Sequence, residues 1–157
     1  MKSRSAPGQT TPLGLARYAQ DFYDAAVATD NVLGIRPGYE IIAPIPVMYL
    51  VGHSIELILK SYLISKGVTL QDLKSKAYGH NLIACLTQAE ALGLTQLVTL
   101  TLSDRDVLRV LNQLYSTKQL NYIVTGEKDF PVFGPLQELC TKLQNAVHVE
   151  IGFATLD

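Results

Sequence analysis

From Leu13 to about Asn31, Leu15, Tyr18, Ala19, Phe22, Ala25 and Ala26 recur at threes and fours, the spacing of one helix face. "RPGYEIIAP", Arg36 to Pro44, interrupts the pattern with Pro and Gly and reads as a connection. A long helix is expected next. It starts near Pro44 to Val47, because Pro is tolerated in a first turn, and ends at Lys66 with Gly67 as its stop. "VTLQDLKSKAYG" is polar and reads as a connection, and "HNLIACLTQAEALG" predicts a shorter helix closed by Gly93. "TQLVTLTLS" alternates like a strand but has no partner, so it is expected as a short helix or a loop. "SDRDVLRVLNQLYSTKQLNYIV" predicts a helix opened by Ser103 and Asp106 as a capping box. Gly126 to Pro131 breaks the chain again. A last helix is expected from about Val132 to Val149, with Leu136, Leu139, Cys140, Leu143 and Val147 on one side. Five helices and no convincing sheet predict an all-α bundle. Residues 1–10 read as a flexible tail, and 11–157 as one domain.

Three polar features conflict with this pattern. In "GHSIELILK", His53, Glu56 and Lys60 are three and then four apart, so they stack along one side of a helix whose neighbours are Ile55, Leu57, Ile58 and Leu59. On the fourth helix, Leu111, Tyr115, Lys118 and Tyr122 step by four, three and four, which puts Lys118 in line with an apolar face. In "YGHNL", His80 stands at a helix start, with Asn81 as the expected cap. The ordinary readings are an intrahelical Glu–Lys pair, a snorkelling Lys118 and a hydrogen-bonding His80.

Energetics favour something more connected. A charge placed in a core without a partner loses several kcal/mol of hydration, so buried charges are normally paired. Glu56, Lys60, His80 and Tyr122 are therefore expected to meet at one seam of the bundle. His53 and Glu56, with His80 as a third ligand, have a spacing that can reach one metal ion. Carboxylate metal sites in helical bundles draw on several inward carboxylates, however, and only Glu56 clearly lies on a core face. No metal and no other cofactor is expected.

Composition narrows the function. The chain has 157 residues, of which 48% are hydrophobic and 17% charged, as in a globular domain rather than a disordered chain. The formal net charge of −1, without a basic tract, weighs against a stand-alone nucleic-acid binder. Recognition of a nucleotide, or of RNA by a few placed groups, remains compatible. Cys85 and Cys140 lack metal spacing and read as buried free thiols in a reducing compartment. "MKSRSAPGQT" has no apolar stretch after its charges, unlike a secretory leader. Pro44, Pro46, Gly52, His53, Glu56 and Lys60 break the Ile41–Ile64 stretch, which makes it a poor membrane span. A soluble, cytoplasmic protein is expected.

Taken in order, "GHSIELILKSYLISKG", "YGHNLIACLTQAEALG" and "LNQLYSTKQLNYIVTGEKDFP" resemble the HEPN domain family, over about Pro44 to Val147. Glu56 and Lys60 match a Glu and Lys four apart. His80, Asn81 and Leu82 match a His-x-Leu helix start. Asn121 and Tyr122 match an Arg-Tyr-Pro-like segment, with Asn where Arg is common and no following Pro. The resemblance implies an up-and-down bundle of four or five helices, often a homodimer. It implies one of two uses: a metal-independent endoribonuclease, or a nucleotide-binding protein or partner of a nucleotidyltransferase or in a toxin–antitoxin pair. The nuclease branch needs an Arg with a His a few residues further on, to hold phosphate charge and move protons. None of the five Arg is so placed. The nearest match is Lys142 and His148, with five residues between, and both read more simply as solvated residues near a helix end. The leading expectation is a non-catalytic HEPN-like protein, and the alternative is a ribonuclease using Lys142 and His148.

Overall fold

The structure, a computed structural model, describes residues 10–122 and 125–153. Among them are six α-helices and one 3₁₀ turn, with no strand. The helices are α1 (Pro12–Leu33), α2 (Ile45–Ser65), α3 (Leu70–Leu73), α4 (Leu82–Ala91), α5 (Leu102–Tyr115) and α6 (Phe133–Ile151). The all-α bundle expected from the periodicity is what forms.

The central element is α2, which packs against α1, α4, α5 and α6. Val47, Val51, Ile55, Ile58, Leu59 and Leu63 are fully buried along it. A helix surrounded on most sides has to be apolar nearly all round, and α2 lacks a conventional polar stripe for that reason. It is long and apolar enough to cross a membrane, but 67% of its most apolar window is buried inside the bundle. On α1, the small residues Ala16, Ala19 and Ala26 are fully buried and allow close approach to α2. Ser54 Oγ donates to the Ala19 carbonyl at 2.6 Å and accepts from Gln144 Nε2 at 2.7 Å, which ties α1, α2 and α6 together.

Most helix ends follow from local chemistry. Thr11 caps α1 by accepting from Gly14 N–H, and Asn81 caps α4 by accepting from Ala84 N–H, both at 3.0 Å. Gly67 follows α2 at φ +93°, the left-handed geometry expected of a helix stop.

Three expectations need correction. The connection after Gly67 contains the short helix α3, capped by Thr69, where a polar loop was expected. The capping box of α5 is Thr101 with Asp104, two residues before Ser103 and Asp106. It forms because both reciprocal bonds are made: Asp104 N–H to Thr101 Oγ1 at 3.0 Å, and Thr101 N–H to Asp104 Oδ2 at 2.8 Å. The third correction matters most for function. Helix α5 stops at Tyr115 instead of running on through Lys118 and Tyr122; residues 123 and 124 of the expected helix lie outside the described residues. The hydroxyls of Ser116 and Thr117 bond back to backbone carbonyls of α5. Lys118 N–H then donates to the Tyr115 carbonyl (3.2 Å) and Gln119 N–H to the Leu114 carbonyl (2.9 Å). That bond pair is a Schellman turn, and its left-handed position is Lys118, at φ +59°.

Candidate functional site

The opposition of an apolar helix and three polar residues resolves at Glu56. Its carboxylate is only 3% exposed, yet every oxygen is used. Oε1 accepts from Tyr115 Oη at 2.8 Å and from His80 Nδ1 at 2.7 Å, and Oε2 accepts from Lys60 Nζ at 3.0 Å. Lys60 Nζ also donates to the Gly79 carbonyl at 2.7 Å, which pins the loop carrying His80. Asn112 holds the start of α4 beside it, accepting from Leu82 N–H at 2.8 Å.

Proton accounting fixes the roles. A tyrosine hydroxyl has one proton, and Tyr115 gives it to Glu56. The contact between His53 Nδ1 and Tyr115 Oη, at 3.1 Å, therefore has His53 as donor. His80 Nδ1 also has to carry a proton, because a carboxylate only accepts. Each imidazole is held by Nδ1, and its Nε2 is the nitrogen left for another partner.

The charges respond accordingly. Burial pushes the Glu56 carboxyl up, but the bond from His80 and the charge and bond of Lys60, with Tyr115, outweigh it, so Glu56 stays ionised below the usual carboxylate range. Burial, the nearby Glu56 charge and the bond donated to it push the Tyr115 hydroxyl well above the ordinary tyrosine value. Burial holds His53 below the ordinary histidine value, against the pull of Glu56.

A cavity of about 170 Å³ opens beside this network. His53, His80 and Tyr115 line it from the network, and Lys118, Asn121 and Tyr122 come from the turn after α5. Tyr49 completes the lining. Its ring stacks on His53 with an interplanar angle of 6° and centroids 6.3 Å apart.

The seam expected from the sequence is thus largely formed: Glu56, Lys60 and His80 meet, and His53 joins them through Tyr115. Tyr122 is the exception. It makes no bond to Glu56, is 69% exposed, and reaches only the cavity, because the turn at Lys118 takes it off the helix. Tyr115 occupies the role expected of Tyr122. Lys118 likewise leaves the apolar face and lines the cavity. Sequence reasoning missed Tyr49, although it stands four residues before His53 and extends the same stripe.

Lys142 and His148 sit elsewhere. Lys142 Nζ pairs with Asp104 Oδ2 at 2.7 Å. His148 is buried, with its ring 4.4 Å from that of Phe153, which corrects the expectation of a solvated residue. Among the described residues its Nε2 is sealed from solvent without a hydrogen-bond partner. Six residues apart on α6, the two side chains leave different helix faces. Cys85 and Cys140 are free and buried, and burial pushes their thiols up to about 11 and about 12. No group of three metal-ligating side chains is gathered among the described residues. The chain matches no family model, no curated protein and no solved structure.

Proposed function

We propose that this chain is a HEPN-like, up-and-down helical-bundle protein that acts by binding a nucleotide rather than by catalysis, with the cavity beside Glu56 as the phosphate site. One observation carries the reading: a buried carboxylate holds His80 by Nδ1 directly and His53 by Nδ1 through Tyr115, at the edge of a small cavity that Lys118 also lines. With both Nδ1 protons donated inward, each Nε2 is left for the ligand; it donates to a phosphate oxygen once it takes a proton, beside the ammonium of Lys118. Tyrosine rings beside them suit a base. The non-catalytic part rests on the same bonds. Glu56 is committed to three donors and Tyr115 holds its proton tightly, which leaves neither as a free base or nucleophile. The order of the Glu56–Lys60 pair and the His80-Asn81-Leu82 helix start supports the HEPN-like assignment, since both elements feed one network.

The direct test is calorimetric titration of a nucleotide panel into wild type and Lys118→Gly. Binding that weakens in the variant supports the reading, and no binding by a folded wild type removes it.

A second reading, an interaction surface, has its own observation. Ile35 and Ile41, in the connection before α2, are 83% and 68% exposed. Apolar residues so displayed suit a homodimer or a contact with a nucleotidyltransferase or antitoxin partner. Light scattering of wild type and Ile41→Asp tests the homodimer.

A further inference from the structure

The cavity beside Glu56 is too small for a whole nucleotide. At about 170 Å³ it falls below the ~300 Å³ at which small-molecule sites begin. It does not stand alone. A groove of about 320 Å³ adjoins it, and the two share Tyr49 and Asn121. The rest of the groove is Ile45, Pro46, Leu50 and Leu120, without a charged side chain. Together the two spaces reach the size of a small-molecule site.

The division of chemistry between them is sharp. The nitrogen groups that can carry positive charge, His53, His80 and Lys118, line the small cavity and not the groove, whose polar side chains are the shared Tyr49 and Asn121. The nearby charges of Glu56 and Lys60 cancel each other through their own bond. Among the described residues that line the two spaces, that leaves one permanent cation, Lys118, and two imidazoles whose Nε2 can take up a proton to meet an anion. This matches the dianion of a single phosphate monoester. A di- or triphosphate would extend its further charges into a groove with nothing to pair them, an expensive desolvation. An internal phosphodiester would need room for chain on both sides of the phosphate.

We propose, building on the nucleotide-binding reading, that the ligand class is a nucleoside monophosphate. Its phosphate sits among His53, His80 and Lys118, and its base lies in the groove against Tyr49 and Leu120. The backbone at Lys118 agrees with this division. The residue is held at φ +59°, where glycine would be relaxed, and this left-handed turn carries a lysine in the cavity lining.

The test is calorimetric titration of adenosine and guanosine monophosphate, ribose 5-phosphate, inorganic phosphate and ATP into wild type, Lys118→Gly and Ile45→Asp. The monophosphate should bind roughly tenfold more tightly than ribose 5-phosphate, as one stacked base is worth about that factor, and more tightly than ATP, whose further charges the groove cannot pair. Ile45→Asp, at a groove position 38% exposed in the first turn of α2, should remove the advantage over ribose 5-phosphate. Lys118→Gly should weaken both phosphates. ATP binding as tightly as the monophosphate, still sensitive to Lys118→Gly, would overturn the monophosphate assignment while leaving the nucleotide site standing. A monophosphate no tighter than inorganic phosphate would also overturn it. The absence of binding by any nucleotide would remove both readings.

Discussion

Gly52 lies directly under the ring of Tyr115. A Cβ built at position 52 would be 2.6 Å from Tyr115 Cδ2, well inside any real contact. The missing side chain lets the ring lie on α2 one turn from Glu56 and deliver its hydroxyl to the carboxylate. A glycine inside a helix costs about 1 kcal/mol relative to alanine. Here that cost gives Tyr115 its place.

Gly52→Ala should therefore destabilise the protein despite its better helix propensity. Pushing the ring away opposes the propensity gain with overpacking of about 1–3 kcal/mol. Urea unfolding monitored by circular dichroism measures the sign. A variant more stable than wild type would show that the ring moves freely.

Lys118→Gly should do the reverse. It relieves a left-handed non-glycine residue, so stability should rise by about 0.5–1 kcal/mol, while nucleotide affinity falls. Paired unfolding and binding curves separate the two effects. Loss of both together would point to a structural role.

Glu56→Leu should cost about 3 kcal/mol or more, because it leaves the 13%-exposed Lys60 without its carboxylate. Adding Lys60→Leu should recover part of the loss, since removing a whole buried pair is cheaper than removing half of it. A double-mutant cycle in urea reads the coupling. Simple additivity would contradict the paired geometry.

Stability should fall on acidification in two stages. His53 and His148 are both held below the ordinary histidine value by burial. The unfolded chain thus takes up their protons first, and their contribution is lost as pH falls below about 6.5. Glu56 is also held below its ordinary value in the folded state. Its contribution is present above about pH 4.3 and is lost as pH falls further. His148→Leu should flatten the first stage, and urea midpoints between pH 7 and 5 check it. An unchanged slope would contradict the burial of His148.

Much of this was legible in the sequence because periodicity reports burial. The four longer helices and the shorter α4 follow from apolar spacing and from the stops at Gly67 and Gly93. The Glu56–Lys60–His80 contact followed from the cost of leaving charge unpaired in a core. The turn at Lys118 was not legible. Lys118 and Tyr122 continue the stripe of Leu111 and Tyr115, and helix propensity does not mark a lysine as a left-handed residue. What ends α5 is hydroxyl competition at Ser116 and Thr117, a weak local signal that the apolar spacing masks. For the same reason Tyr122 was expected where Tyr115 stands. The Gly52–Tyr115 contact joins residues 63 apart in the chain, and spacing within one helix carries no trace of it.

The most direct test of the phosphate site is nuclear magnetic resonance of the histidine side chains during titration with adenosine monophosphate. The chain has three histidines, so every signal can be assigned. Nε2 of His80 and His53 should shift, the Nδ1 protons held by Glu56 and Tyr115 should persist, and His148, buried against Phe153, should stay still. Shifts confined to His148, or none at saturating nucleotide, would contradict it.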